Sequence, residues 1–231
     1  MTIFRTRRHS LGASASLAVA ASLGAITRPT HAAAEAAANI QAQPIAPGFT
    51  LLSGAGCNVL ALASPEGTLM VDGGFQRHSA RLLAAVARAT GSRKVNTLIN
   101  THWHPAQTGS NETLGRQGAQ IIAHEITQLY LARAVASVDY TGLYGPLAEK
   151  GRPRITTRTT GSLQFAGRRV DYGYLPAAHT NGDTFVVFRN LRVMHSGDAF
   201  AGKGTPLLDA NNGGSGVAYP DTIAKAIAGV K

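Results

Sequence analysis

Four residues of this 231-residue chain have the types and settings that metal chemistry requires. His102 and His104 stand one residue apart in "NTHWHPAQTGSN", directly after the apolar run "NTLIN". In an extended segment, side chains two residues apart project to the same side, so the two imidazoles lie together at a strand end. His179 in "LPAAHTNGD" and Asp198 in "MHSGDAF" also follow strand-like runs. Three imidazoles and one carboxylate, each at the end of a strand, can make a four-coordinate zinc site.

The elements that would carry these groups can be read from periodicity and punctuation. "FTLLSG", "NVLALAS" and "TLMVDGG" are short apolar runs, with Pro65 to Gly67 as the turn between the last two. "SARLLAAVARATG" has the period of a helix, with Leu82, Leu83, Val86 and Ala87 on one face, Ser79 as N-cap and Gly91 as stop. "VNTLINT" is a buried strand, "SNETLGRQG" a short helix, "AQIIAH" a strand and "ITQLYLARAVAS" a helix. Val138 to Thr160 has no periodicity and carries Gly, Pro and Arg, so it is expected to be a long surface loop of the kind that covers a site. Strands resume with "SLQFAG", "RRVDYGYLPA", "DTFVVF" and "LRVMHSGD", with Arg189-Asn190 as a tight turn. A Gly-rich segment, "DANNGGSG", leads to a helix starting in "AYPDTIAKAIAGV". Two halves that each begin with strands and move to helices predict an α+β fold with internal duplication. The second half lacks a closing strand–helix pair.

Composition bounds the class. Apolar residues make up 44% of the chain, enough for a core. The single cysteine, Cys57, excludes an internal disulfide and is expected to be a small core residue. The N-terminus has a basic start, a weakly apolar stretch from Leu11 to Ile26 and a small-residue pattern at Thr30-His31-Ala32. That is the layout of a secretory signal. Arg7-Arg8 with Leu11 is twin-arginine-like, with Ser10 where Phe is usual. The expected organisation is a signal peptide over residues 1–32, a flexible lead-in over 33–46 and one domain over 47–231. A periplasmic or secreted location follows, with no membrane span after signal removal. Removing Arg5, Arg7, Arg8 and Arg28, with no acid among those residues, lowers the net charge from +10 to +6. The remaining cations are scattered apart from "RPRITTR" and Arg168-Arg169, and no nucleic-acid motif accompanies them. They could favour an anionic substrate or a membrane surface, or form an ordinary soluble basic face.

Five segments, in order, resemble the metallo-β-lactamase superfamily of metal-dependent hydrolases: "LMVDGG", "NTHWHPAQTGSN", "IIAHE", "PAAHTNGDT" and "VMHSGDAF". The resemblance runs from about Phe49 to the end of the chain. It implies a four-layer αβ/βα sandwich with metals at one edge of two sheets. It also implies that His102, His104 and His179 are the ligands of a first metal and Asp198 the bridging carboxylate. Asp72, helped by Thr101, would hold the ligands in place.

The chain also departs from the pattern. The family's Asp and following His of H-x-H-x-D-H are Ala106 and Gln107 here, and the usual last histidine, beyond a final helix and strand, has no counterpart. The fold is therefore expected to be incomplete at its C-terminus, and one zinc is expected, because Asp198 alone cannot hold a second. Zinc brings the pKa of bound water to about 7, and the resulting hydroxide would attack an ester, thioester, lactone or lactam carbonyl of a small-molecule substrate. Asp198 is the one nearby carboxylate able to serve as base. The other reading is a catalytically impaired pseudoenzyme or binding protein of the same fold.

The remaining candidates have structural readings. His124 is expected to pack or cap the helix from Glu125, His195 to point to the opposite face and His78 to be exposed. Trp103 should face away from the metal. Arg168 and Arg169 are expected to be solvated. Tyr140, Tyr144 and "LYGPL" form either a pocket lid or an ordinary surface loop.

Overall fold

The computed structural model of the protein describes residues 39–138, 140–200 and 204–230, all within the unit Ala38–Lys231. The expected signal, residues 1–32, lies outside the described residues. A seven-stranded sheet contains β1 (Gln41–Ala46), β2 (Phe49–Ser53), β3 (Val59–Ser64), β4 (Gly67–Val71), β5 (Val95–Ile99), β6 (Gln120–His124) and β9 (Ile155–Thr157), in that spatial order. Strands β1 to β4 run antiparallel, and β4, β5, β6 and β9 run parallel. A second sheet, all antiparallel, contains β10 (Thr160–Phe165), β11 (Arg168–Tyr174), β12 (Thr184–Phe188) and β13 (Val193–His195). A separate hairpin joins β7 (Val135–Ser137) and β8 (Tyr140–Tyr144).

The four layers follow from which side chains each strand sends to which face. In β3, Val59 and Ala61 join one core while Leu60 and Leu62 join another. Met70, Leu98 and Ile121 face the first core, and their neighbours Leu69, Val71, Ile99 and Ile122 face the second. Strands buried on both faces read as continuous apolar runs. The first core is closed by Leu82, Ala85 and Val86 of helix α1 (Ser79–Thr90). The second core lies between the sheets, where Val170, Val186 and Phe188 meet the first sheet and Phe49 sits 4.6 Å from Phe188, ring centroid to ring centroid. Phe185, the opposite face of β12, packs with Ala226 of the C-terminal helix Tyr219–Val230. The order helix, sheet, sheet, helix is the sandwich expected from the sequence.

Several local expectations are corrected. Gln41–Ala46, inside the expected lead-in of residues 33–46, forms β1 and pairs with β2. Its side chains are almost all exposed, because it is an edge strand held by backbone bonds, and such a strand shows no apolar pattern. The expected loop Val138 to Thr160 contains β8, a 3₁₀ turn and β9, the last held by parallel pairing of Ile155 with Ile122. The helix expected over "ITQLYLARAVAS" ends at Leu131, as α4 (Glu125–Leu131), and its tail becomes β7. Two short helices precede it, α2 (Pro105–Thr108) and α3 (Asn111–Arg116). Ser79 opens α1 without capping it; its hydroxyl accepts from Ser110 Oγ at 2.9 Å instead. His78 is buried beneath the same helix start. Gly91 does end α1, at φ 72°, the left-handed conformation glycine takes at no cost.

Candidate metal centre

Two parallel strands end at the same sheet edge, and their ends are tied by one carboxylate. Asp72, directly after β4, donates its backbone N–H to Ile99 O at 2.9 Å and has φ 64°. Its Oδ1 and Oδ2 each accept from Thr101, from N–H and Oγ1–H, both at 2.8 Å. Burial pushes the Asp72 carboxyl well above the usual range, and the two Thr101 bonds pull against it. This clamp fixes the turn Thr101–His104 that leads into α2, whose Pro105 is suited to a first helical position.

The second sheet supplies the other two groups. His179 lies in the loop between β11 and β12, where Asp183 accepts from the N–H of His179 at 2.7 Å, the N–H of Thr180 at 3.0 Å and Thr180 Oγ1–H at 2.6 Å. Asp198 lies in the 3₁₀ turn Gly197–Phe200 after β13.

The structure brings His102, His104, His179 and Asp198 together, with one ligating atom of each within 4.8 Å of the others. Their hydrogen bonds decide which atoms those are. Asp209 accepts from His104 Nε2 at 2.9 Å, and the Leu207 carbonyl from His179 Nδ1 at 2.6 Å. Thr101 Oγ1 spends its proton on Asp72, so its oxygen accepts from His102 Nδ1 at 3.1 Å. Each ring thus carries its proton on the outer nitrogen and turns a bare lone pair inward. His104 Nδ1 and His179 Nε2 face each other at 3.1 Å, and buried His102 Nε2 has no partner among the described residues. Burial, then the neighbouring His104, His179 and His195, holds His102 well below the ordinary imidazole range, so it is neutral. Asp198 Oδ2 lies 3.8 Å from His102 Nε2 and 4.0 Å from His179 Nε2. Opposed lone pairs repel unless a cation lies between them, so the donor set fits a metal ion.

A family model for the metallo-beta-lactamase superfamily matches residues 52–228. The chain belongs to the metallo-β-lactamase superfamily. No curated protein matches the sequence. Among solved structures, the metallo-beta-lactamase from Pontibacter korlensis is similar at 19% identity and TM-score 0.62, over 81% of this chain and 84% of that one. Metallo-beta-lactamase IND-7 gives 16% identity and TM-score 0.66, over 84% and 87%. A metallo-beta-lactamase from Cronobacter sakazakii gives 20% and 0.61, over 84% and 75%. These likenesses show the shared fold.

Around the site, this member of the superfamily differs from the family pattern. Ala106 and Gln107 are both buried in α2, and neither amide atom of Gln107 has a partner among the described residues. Cys57 packs against the first core, as expected, but is only partly buried, and its thiol donates to Ala106 O at 2.9 Å. His195 does not turn away. It is buried, with Nδ1 3.9 Å from Asp72 Oδ2 and accepting from Gly197 N–H at 3.1 Å, while Nε2–H donates to Asn58 O at 3.1 Å. It thus ties the Asp198 turn to the β2–β3 loop. Trp103 is buried between a member of the cluster and the hairpin side of the core: its ring meets His104 edge to face at 4.6 Å between centroids and packs against Tyr130 at 4.9 Å. His124 accepts from Ile126 N–H at 3.2 Å, the helix cap the sequence predicts. Tyr144 bonds Thr108 Oγ1 at 2.8 Å and is pushed up to about 12 by burial, so it anchors the β7–β8 hairpin to α2. Arg169 is exposed and pairs with Asp171 at 2.6 Å. Asp209, Asp183 and His195 are the supports that sequence reasoning missed. Asp209 opens the quoted "DANNGGSG", but nothing local marks its partner.

Proposed function

We propose that the protein is a metal-dependent hydrolase that acts on an ester, thioester, lactone or lactam carbonyl and holds one zinc ion. The observation that carries this reading is the three inward lone pairs of His102, His104 and His179 beside the Asp198 carboxylate. When bound, such an ion supplies Lewis acidity to a carbonyl and makes water a nucleophile near neutral pH. His102, His104 and His179 hold the ion, and their outer partners Thr101, Asp209 and Leu207 fix ring orientation. Asp198 is the only one of the four with appreciable exposure, 24% for its side chain, so it is the group a substrate or water reaches. It accepts the proton of the attacking water and can return it to the leaving group.

A single ion is supported by the residues beside the cluster. Ala106 offers no donor atom, and Gln107 offers an amide oxygen in place of an imidazole. The same substitutions favour the second reading, a binding protein of this fold without turnover. Metal analysis of the purified protein and of His102→Ala, followed by a hydrolysis screen on nitrocefin, lactones and thioesters, separates the two. About one zinc per chain, lost in the variant, together with turnover, supports the hydrolase. One zinc without turnover supports the binding protein. About two zinc ions, or none, rejects the one-metal reading.

Export is part of the proposal and rests on the sequence of residues 1–32 alone. It is tested by N-terminal sequencing of the protein recovered from periplasm. Among the described residues, no helix is long and apolar enough to cross a membrane.

A further inference from the structure

We propose that the outer face of the second sheet carries a second binding site, for an amphiphilic oxyanion: a carboxylate or phosphate monoester head on an apolar body. A cavity of about 540 Å³ lies there, between the strands and the C-terminal helix Tyr219–Val230. None of His102, His104, His179 and Asp198 lines it, so the inference stands apart from the metal-centre reading.

The register of the sheet builds the floor. Ser162, Asp171, Val187 and Met194 are successive cross-strand partners, and so are Thr160, Gly173 and Phe185. Directly opposed residues share a face, and Asp171 and Gly173 are two apart in β11, so both rows lie on one side of the sheet. Phe185 marks that side, because it packs with Ala226 of the helix. Val187 and Met194 are only half-buried, and Gly173 adds no side chain between Thr160 and Phe185. The floor is therefore apolar and partly open.

The rim is cationic. Asp171 Oδ1 accepts from Arg169 Nε at 2.6 Å, and Asp171 Oδ2 accepts from Arg189 Nε. Arg189 Nη1 also donates to Gly229 O, in the helix, at 3.1 Å. One carboxylate thus holds two guanidinium groups side by side and balances the charge of only one. Lys225, on the helix, lines the same cavity. The Asp171 side chain is 15% exposed against 60% for Arg169 and 53% for Arg189, so the guanidinium groups stand on the water side of the carboxylate. A guanidinium carries five N–H donors in a planar fork that matches a carboxylate or a phosphate. Among the described residues, Asp171 and Gly229 occupy one nitrogen of Arg169 and two of Arg189. The remaining N–H groups can grip a second oxyanion, which would neutralise the surplus charge. Its apolar part would then lie over Val187, Met194 and Phe185, within a cavity of the size that small-molecule sites have.

The test is amide NMR of the labelled full chain, titrated separately with octanoate, octyl phosphate, octanol and acetate. At least one of octanoate and octyl phosphate is expected to move the amide signals of Ser162, Gly173, Val187 and Lys225, and the tighter of the two names the head group. Octanol lacks the charge and acetate lacks the apolar body, so each should bind more weakly by about tenfold or more. Arg169→Gln and Lys225→Gln replace exposed side chains. Each should weaken the anion by roughly threefold to tenfold, with octanol binding and the thermal melt unchanged. Octanol binding as tightly as both anions overturns the proposal. So do anion-induced shifts confined to the residues around His102 and His179, or unchanged anion affinity in both variants. The readout is site by site, so failure here is distinguishable from failure of the metal centre, which shows in zinc content.

Discussion

Asp209 orients His104 from 105 residues away: its Oδ2 lies 2.9 Å from His104 Nε2, with both side chains buried. The bond fixes the imidazole proton on the outer nitrogen and leaves Nδ1 bare toward His179. Asn212 supports the same oxygen, donating from Nδ2 at 2.7 Å. The ligand's orientation is therefore set by a loop of the second half of the chain.

Removing that support should weaken metal binding without removing a ligand. Asp209→Ala is expected to lower zinc affinity by about 10–100-fold, the usual effect of losing a partner behind a metal-binding histidine. Competition against a chromogenic chelator measures it. Unchanged affinity would show that Asp209 does not orient the ring.

His195 makes stability depend on pH in a definite direction. Burial lowers its pKa to about 4, against 6.5 in the unfolded chain. Between those values the unfolded chain binds a proton that the folded protein refuses. The contribution is fully present above pH 6.5 and is lost as pH falls toward 4, amounting to roughly 3 kcal/mol across the window. Urea unfolding of the metal-free protein at pH 7.5, 5.5 and 4.5 should show a shallower pH slope in His195→Gln than in the wild type. Parallel slopes would mean that His195 is not held neutral.

Gln107 buries an amide with no partner among the described residues, which costs about 1–3 kcal/mol. Gln107→Met keeps the volume and removes the polar group. It should stabilise the protein by about 1 kcal/mol in chemical denaturation. A loss of stability would show that the amide is satisfied in solution.

Gly197 sits at φ 53° with Thr101 packed where a Cβ would go. Gly197→Ala forces a left-handed non-glycine residue and displaces the hydroxyl that seats His102. The expected cost is about 2 kcal/mol of stability, the scale of overpacking a tight site. Zinc affinity measured by competition should fall with it, because Thr101 no longer accepts from His102 Nδ1.

What could be read from the sequence was whatever depends on neighbours along the chain. β3, β4, β5 and β6 showed as apolar runs because burial on both faces leaves few polar positions. The four clustered groups stand at strand ends, where short motifs are preserved in the chain's own order. β1 and β9 were misjudged because their hydrogen bonds come from the sheet and their side chains carry little burial signal. Asp209 and His195 were missed for a related reason. Their partners are His104, Asp72, Asn58 and Gly197, and apart from Gly197 these lie about a hundred residues or more away. Cys57 was legible as a small residue against the first core, but its partial exposure was not, because a small apolar context is the same at a core's margin and in its interior.

His102 and His104 extend from the seven-stranded sheet, while His179 and Asp198 extend from the four-stranded one. A cation gripped by all four would act as a rivet through the sandwich. Loaded protein should lose both sheets in one concerted event. Stripped protein can let the smaller sheet unzip first, which amide exchange in β10 to β13 would register as early loss of protection.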